Sequence, residues 1–469
     1  MSDFDQGSLF DESSSSSPND EQAPIDQSAR DRITSVLDET LFVEAGAGSG
    51  KTTALVSRLV SLIRSGIDID NIAAITFTEK AAAELRDRVR QQLEDELADD
   101  AVADSDTSRY TAALHGLDGA AISTLHAFAQ RILSEYSIEA RLPPGVEVQD
   151  EISSQVAFED RWQRFIDQLL EETESGRDFL IAMAVGVTLD HLRQVAKAFN
   201  NNWDLVEERL LTIGREPLAL DLSWIVDRVA ALVALGDECA DPMDKLALKL
   251  AEIPAYVLQL RACQDDIELL DRLVNRSVTL KVGGVGKKGN WPSPDHSVID
   301  VRDEVTEVFE LIETLRSEVA DEAITQLAVG LAAWTIEAAE ERRLEGRLEF
   351  HDLLVRSRQM LRDPDEGLAV RKSLRERYQR LLLDEFQDTD PIQVELACLI
   401  ASNDDDGMKP WHELSIAPGS LFFVGDPKQS IYRFRRADIR LFLEARSTFS
   451  DDPVQLTTNF RTTEPIIAW

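Results

Sequence analysis

The sequence predicts an α/β protein in which a parallel sheet, covered by helices on both faces, is interrupted by a large, mostly helical insertion. Three observations lead there. Six short runs, Leu41–Val43, Ala73–Phe77, Ala120–Ser123, Leu381–Leu383, Leu421–Val424 and Val454–Leu456, are almost continuously apolar instead of alternating, as strands buried on both faces are. Helical patterns follow several of them, Lys80–Leu93 and Ala127–Tyr136 among them, the order expected of a doubly wound sheet. Between the third and fourth runs the apolar spacing is near 3.6 over Val156–Leu170, Leu192–Phe199, Ile225–Leu235, Val301–Leu315 and Ala323–Ala339, with only the Gly- and Lys-rich segment Lys281–Asn290 reading as an exposed loop or hairpin.

A chain of 469 residues has room for two or three domains, since single cores rarely grow past about 250 to 300 residues. Residues 1–30 carry seven acidic side chains, one Arg and the run Ser13 to Ser17, a composition that reads as a disordered acidic tail. The first part of the sheet domain then covers 31–140, the helical insertion 141–345, and the second part of the sheet domain 346–469. The net charge is -38, from 49 basic and 87 acidic residues. That total argues against a surface that attracts nucleic acid everywhere. Most of it, however, falls in the tail and the insertion, and 371–380 and 428–440 are locally basic. Any DNA affinity should therefore be weak, salt-dependent and confined to one track. No window approaches the roughly 18 consecutive apolar residues of a membrane span. The opening residues lack the basic flank and apolar core of a secretory signal. Cys239, Cys263 and Cys398 are too far apart for a disulfide framework or a cysteine-ligated metal site. Together these features suggest a cytoplasmic protein.

Chemistry enters after the first strand, at Ala45-Gly46-Ala47-Gly48-Ser49-Gly50-Lys51-Thr52. Small residues let backbone N–H groups wrap phosphates, and the following helix aims its positive end at them. Lys51 would reach the β and γ phosphates, and the Thr52 hydroxyl would sit on Mg²⁺. The second half of such a site follows the fourth run, in Leu383-Asp384-Glu385-Phe386-Gln387-Asp388. Asp384 could hold the metal through water, and Glu385 could orient and deprotonate the attacking water. An Asp-Glu pair alone is a common surface dipeptide; on the same sheet as a phosphate loop it points to ATP hydrolysis.

Six segments in this order resemble the motifs of UvrD/Rep-type superfamily 1 DNA helicases: Ala45–Thr52, Thr76–Leu85, Thr124-Leu125-His126, Leu383–Thr389, Gly425–Arg435 and Asn459-Phe460-Arg461. The Pro427-Lys428 version of the fifth motif and the long insertion look more like the RecB and AddA branch. The resemblance implies a P-loop NTPase of RecA-like fold, with 141–345 as its inserted subdomain and Glu349–Leu354 as the segment by which the chain returns to the core. It also implies ATP and Mg²⁺ as cofactors, single-stranded DNA and duplex junctions as partners, and stepping typically 3′ to 5′ in DNA repair and recombination.

Carried over by position, the resemblance gives Gln429 the role of γ-phosphate sensor, Arg461 that of an arginine finger, and Phe460 that of a stacking partner for adenine. Phe77 and Phe434 would stack on bases, His126 would touch the strand and Arg435 its backbone, with Thr78 and Tyr432 in the same two motifs; aromatics beside cations suit a sequence-tolerant track. Thr53 stands where UvrD-type proteins place an Arg that helps sandwich the nucleotide. Gln27 and Asp31 are the candidates for the upstream Gln that reads adenine, neither at the usual distance. The resemblance ends with the arginine-finger motif. It therefore implies that a second RecA-like core, with any nuclease domain, lies outside this chain or in a partner protein, and that the chain is a fragment or one half of a split enzyme. Other readings are a P-loop ATPase acting on protein, acidic segments that dock a partner, and a non-hydrolysing subunit that binds nucleotide and single-stranded DNA. Lys281, Lys287 and Lys288 could touch duplex DNA, although a solvated loop is the simpler reading.

Overall fold

The computed structural model describes residues 24–99, 102–171, 173–210, 212–214, 218–294, 296–431, 436–450 and 452–461. The chain divides into two compact units, one from the residues up to Arg141 together with those from Leu353 onward, the other Leu142–Asp352.

The first unit holds a six-stranded sheet of β1 (Leu41–Ala45), β2 (Ile72–Thr76), β3 (Ala121–Thr124), β4 (Arg380–Leu383), β5 (Leu421–Gly425) and β6 (Val454–Leu456), in the order β3-β2-β4-β5-β1-β6. Every pairing is parallel. All six expected strands are present, and β2 and β5 are buried at every position. On one face lie α1 (Gln27–Ser35), α2 (Lys51–Ser65) and α3 (Glu79–Ala98), whose Leu55, Leu59, Leu62, Leu85 and Val89 pack against Val43, Ala74 and Val424. Beneath α2, the fully buried Arg58 donates to the carbonyls of Ile33, Val36 and Glu39 and lies over the Phe422 ring. Burial lowers its pKa to about 10, so the guanidinium stays charged at neutral pH. A second hydrophobic cluster joins Phe42, Phe386, Phe423 and Phe442, with ring centroids 4.7 to 5.9 Å apart.

Helix α1 begins at Gln27, so the expected tail is helical over its last four residues, and Asp26 is buried. Composition could not reveal this: the charges of Asp26 and Arg30 compensate each other one helical turn apart, 3.0 Å between heavy atoms. Residues 1–23 of that expectation lie outside the described residues.

Among the described residues, the only strands of the second unit are the two-residue pairing of Glu147–Val148 with Arg347–Leu348; its other regular elements are helices. Here α5 (Glu151–Glu171) and α6 (Val298–Glu345) follow α4 (Leu125–Glu135) of the first unit in chain order. The two expected segments Val301–Leu315 and Ala323–Ala339 are one helix of 48 residues, about 72 Å long at 1.5 Å per residue. Val319 and Ala323 carry the buried stripe across the charged stretch between them. Ser297 and Asp300 form a capping box at its start and Gly346, at φ 68°, ends it. Segment Lys281–Asn290 contains no strand, which corrects the hairpin alternative. Its Val282 is buried, and Arg302 gathers the carbonyls of Gly284, Val285 and Gly286, while Lys281, Lys287 and Lys288 face outward. Among the described residues no single helix is long and apolar enough to cross a membrane.

Candidate nucleotide site and strand track

Parallel strands bring their carboxyl ends to one edge, the place where ligands of such sheets bind. Here that edge carries the loop after β1, Phe77 after β2, His126 after β3, Asp384 and Glu385 after β4, and Asp426 after β5. Residues separated by more than three hundred positions become neighbours through strand order alone.

The phosphate loop leaves β1 at the buried Ala45 and enters α2 at Lys51. Its turn is closed by the Ser49 amide and hydroxyl, both donating to the Gly46 carbonyl at 3.1 and 2.8 Å. Gly48 and Gly50 have φ of 78° and 85°, where side chains are strained. A Cβ on Gly48 would also lie 2.5 Å from Asn459 Oδ1 and 2.8 Å from Arg461 Cβ. The loop is thus held open on one side by glycine and lined there by the motif that contains Arg461. Ala47, Thr52 and Thr53 complete the loop and the first turn of α2, with Thr53 exposed.

The carboxylates are aimed by the core. Phe386 is buried against Phe42, Phe423 and Phe442, so the turn just before it cannot swing. Glu385 itself sits at φ 50°, a left-handed backbone that costs a non-glycine residue about 1–2 kcal/mol. From there its Oε2 meets Lys51 Nζ at 2.7 Å and accepts from Gln387 Nε2 at 2.7 Å. Gln387 Oε1 accepts from the Asp426 amide at 2.8 Å, and Asp426 Oδ2 accepts from Gln429 Nε2 at 2.6 Å. A continuous chain of polar contacts therefore runs Lys51, Glu385, Gln387, Asp426, Gln429. Gln387 and Asp426 lie within the motifs, yet sequence alone gives them no role; their burial, 2% and 6% exposed, is what a sequence does not print.

Asp384 lies beside this chain, accepting the Glu385 amide at 2.9 Å. Burial, and then the charge of Glu385, push its carboxyl up to about 6. A folded value above the ordinary 3.8 means that the protonated form suits the fold; the associated stability is complete below about pH 4 and lost as pH rises through about 6. Asp384→Asn is accordingly expected to stabilise the nucleotide-free chain at pH 8 by on the order of 2 kcal/mol, a gain that shrinks as the pH is lowered toward 5. Urea denaturation across that range checks it; equal stability of the two proteins at pH 8 would contradict the expectation. A carboxyl that gains from a nearby cation, with the Thr52 hydroxyl in the first turn of α2, fits Mg²⁺, which commonly takes one or two protein carboxylates and completes its shell with water and phosphate oxygens.

Phe460 and Arg461, the expected stacking and finger residues, converge on the same loop. The Phe460 amide donates to the Gly48 carbonyl at 2.9 Å, the Arg461 amide to Asn459 Oδ1 at 2.8 Å, and the Phe460 ring is 62% exposed with Arg30 Cζ 4.9 Å from its centroid. Arg30 also donates to the Ser49 carbonyl at 2.9 Å. Arg30 thus lies beside both the Phe460 ring and the phosphate loop, a position that composition hides by grouping it with the acidic tail. Gln27 and Asp31 bond each other at 2.7 Å on the outer side of α1.

Along the track, Phe77 is partly exposed and lines a small cleft with Leu125, Asp384, Glu385 and Gln393, and His126 is partly exposed on the first turn of α4. The Thr78 side chain caps α3 by accepting the Ala81 amide at 3.1 Å. Tyr432, Phe434 and Arg435 lie outside the described residues. The basic stretch 371–380 is largely engaged internally: Arg371 donates to the Leu361 and Asp405 carbonyls, Arg375 to the Ser402 carbonyl, and Arg377 pairs with Glu135. Three of its five basic side chains are therefore engaged within the protein.

The family described as UvrD/REP helicase N-terminal domain matches residues 25–450. An ATP-dependent helicase/nuclease subunit from Pediococcus pentosaceus is 26% identical over 90% of this chain and 36% of its own length. The protein of the same name from Ligilactobacillus salivarius is 28% identical over 92% of this chain and 37% of its own. That from Clostridium perfringens is 25% identical over 91% and 36%. The chain spans just over a third of the length of these curated relatives.

Proposed function

Because this chain belongs to the UvrD/REP helicase family through its N-terminal domain, we propose that it binds MgATP and hydrolyses it in response to single-stranded DNA. The observation that carries this reading is the chain of contacts from Lys51 through Glu385, Gln387 and Asp426 to Gln429. It joins the group that holds the phosphates, the base that activates water and the residue that senses the γ-phosphate.

In the free protein Lys51 neutralises Glu385. A triphosphate carries more negative charge than one carboxylate, so Lys51 transfers to the phosphates and leaves Glu385 able to take a proton from water. Gln387 stays on the carboxylate and keeps it oriented. Thr52 and Asp384 would hold Mg²⁺, which would supply positive charge to the phosphates. Arg461, carried beside the loop by Asn459 and Phe460, adds fixed charge where negative charge develops. Changes at Gln429, after β5, would pass along the carboxyl edge of the sheet to Phe77, after β2, and His126, after β3, so that the strand held there is released or gripped accordingly.

Unwinding, 3′ to 5′ stepping and any nuclease coupling would need a second RecA-like core, supplied in the same polypeptide or by a partner. The relatives' name supports a place in a helicase–nuclease assembly; a cytoplasmic setting and a role in DNA repair and recombination belong to the same proposal. Phosphate release measured with oligo(dT), with a blunt duplex and with heparin tests the reading. Turnover should rise several-fold with oligo(dT), less with duplex and not at all with heparin. Turnover indifferent to oligo(dT) would favour an ATPase acting on something other than DNA.

A further inference from the structure

The described molecule contains a carboxylate whose surroundings the mechanism above does not use. Asp26 stands at the position that caps α1, yet its side chain bonds none of that helix's amides, although capping is the usual reason for an aspartate there. Instead it points across the sheet edge. Its Oδ2 accepts the backbone amides of Thr457 and Thr458 at 2.8 and 3.0 Å, and its Oδ1 accepts the Thr458 hydroxyl at 2.8 Å. Arg30 donates Nε and Nη2 to the two oxygens, each at 3.0 Å, and the same Nη2 reaches the Ser49 carbonyl of the phosphate loop. Asp26 is 6% exposed. Burial alone would raise its pKa, but the bonds from Arg30, Thr458 and Thr457 outweigh burial and hold it well below the usual carboxylate range, so it is charged at any working pH.

The five residues it governs follow the edge strand β6, three residues long and paired on one side only, with β1. The register ends at Ala45 opposite Leu456, and from there two segments diverge: one becomes the phosphate loop, the other Thr457 to Arg461. A short edge strand gives little directional control beyond its last ladder bond. Two backbone amides held by one buried, ionised carboxylate give much more, because charge-assisted bonds are short and about twice as strong as neutral ones.

We propose that Asp26 is a positioning residue for ATP hydrolysis: it fixes the Asn459-Phe460-Arg461 segment against the phosphate loop, with Arg30 as the strut between them. The proposal rests on the reading of Arg461 as the arginine finger, but its structural half stands apart from that reading and can be tested apart from it.

Two measurements on the full chain decide it. Hydrogen exchange of the free protein reads the position directly. In Asp26→Ala the amides of Thr457, Thr458 and Phe460 should exchange about tenfold faster or more, while those of Leu55 to Leu62 in α2 keep their protection. Unchanged exchange at 457–460 overturns the proposal, and so does an equal loss in α2, which would make Asp26 a general determinant of the fold. The second measurement is a double-mutant cycle on oligo(dT)-stimulated turnover. Asp26→Ala and Arg461→Ala should each lower kcat by about 10- to 100-fold, and the double variant should be no slower than Arg461→Ala. Additive losses overturn the link to Arg461. Asp26→Asn, which keeps the shape but offers an NH₂ to donors, should restore less than half of the loss; full rescue would assign the effect to side-chain volume. Should the wild-type chain not turn over ATP at all, the functional reading fails while the exchange result still decides the position of the segment.

Discussion

Glu385→Gln is expected to lower DNA-stimulated ATP turnover by about 10²- to 10⁴-fold, the range that a general base contributes, while MgATP binding persists. The substitution keeps the shape and the contact with Gln387 but removes the property that the proposed mechanism asks of this residue, a place for the proton of the attacking water. Binding should not suffer, because Glu385 holds Lys51 at 2.7 Å in the free protein and must surrender it before phosphates can use it. Glutamine cannot hold an ammonium as strongly, so the nucleotide should bind as tightly as before or tighter. A fluorescent ATP analogue titrated into both proteins, with phosphate release followed in parallel, separates the two effects. Turnover kept above about a tenth of the wild-type rate would move the base elsewhere, with Asp388, buried and raised in pKa by burial and then by Glu385, the first group to examine. Lys51→Ala should differ in kind: it removes a phosphate ligand, so affinity and turnover fall together.

The residues that make this site differ in how far they could be read in advance, and the reason is physical. Strand positions were legible because a strand covered on both faces must be apolar throughout, and the runs at Leu381–Leu383 and Leu421–Val424 are. The loop Gly46–Lys51 was legible because only small residues let backbone approach phosphate. What stayed hidden are polar groups whose partners are distant in sequence. Nothing local distinguishes Gln387 from a surface glutamine, or tells that Arg371 and Arg375 meet carbonyls instead of phosphates. Asp26 and Arg30 were hidden more deeply, since their neighbours' acidity described a tail while their own hydrogen bonds reach Thr458 and Ser49. The long helix α6 read as two because Arg316, Glu318, Asp321 and Glu322 interrupt the pattern by composition; the stripe through Val319 and Ala323 survives in geometry.

No periodicity announces the buried ion pair of the second unit either. Arg342 in α6 and Asp352 are 2% and 0% exposed and form a two-pronged pair, Nε to Oδ2 at 2.7 Å and Nη2 to Oδ1 at 2.9 Å. Asp352 also accepts the Trp203 indole at 2.8 Å and the Glu349 amide at 2.9 Å, and Arg342 donates to Asn200 Oδ1 at 3.1 Å. Burial works against the Asp352 charge, but the Arg342 guanidinium beside it, then its hydrogen bonds, keep the carboxyl below its ordinary value. Asp352→Ala removes the two-pronged partner and leaves the buried guanidinium to the more distant Glu349, at 3.6 Å, and about 3–5 kcal/mol of the unit's stability should go with it. Removing both charges, as Arg342→Met with Asp352→Leu, should cost less than either single change, because each single variant strands a charge that the double one does not. Urea denaturation followed by circular dichroism compares wild type, each single variant and the double variant. The pH dependence has a definite sign: a carboxyl lowered by folding stabilises above its unfolded value near 3.8 and loses that contribution as the pH falls below it. The difference between wild type and Asp352→Ala should therefore be full at pH 7 and begin to close only below about pH 4. A double variant less stable than Asp352→Ala would show that the pair acts through its packing and its bonds to Trp203 and Asn200 instead of through balanced charge.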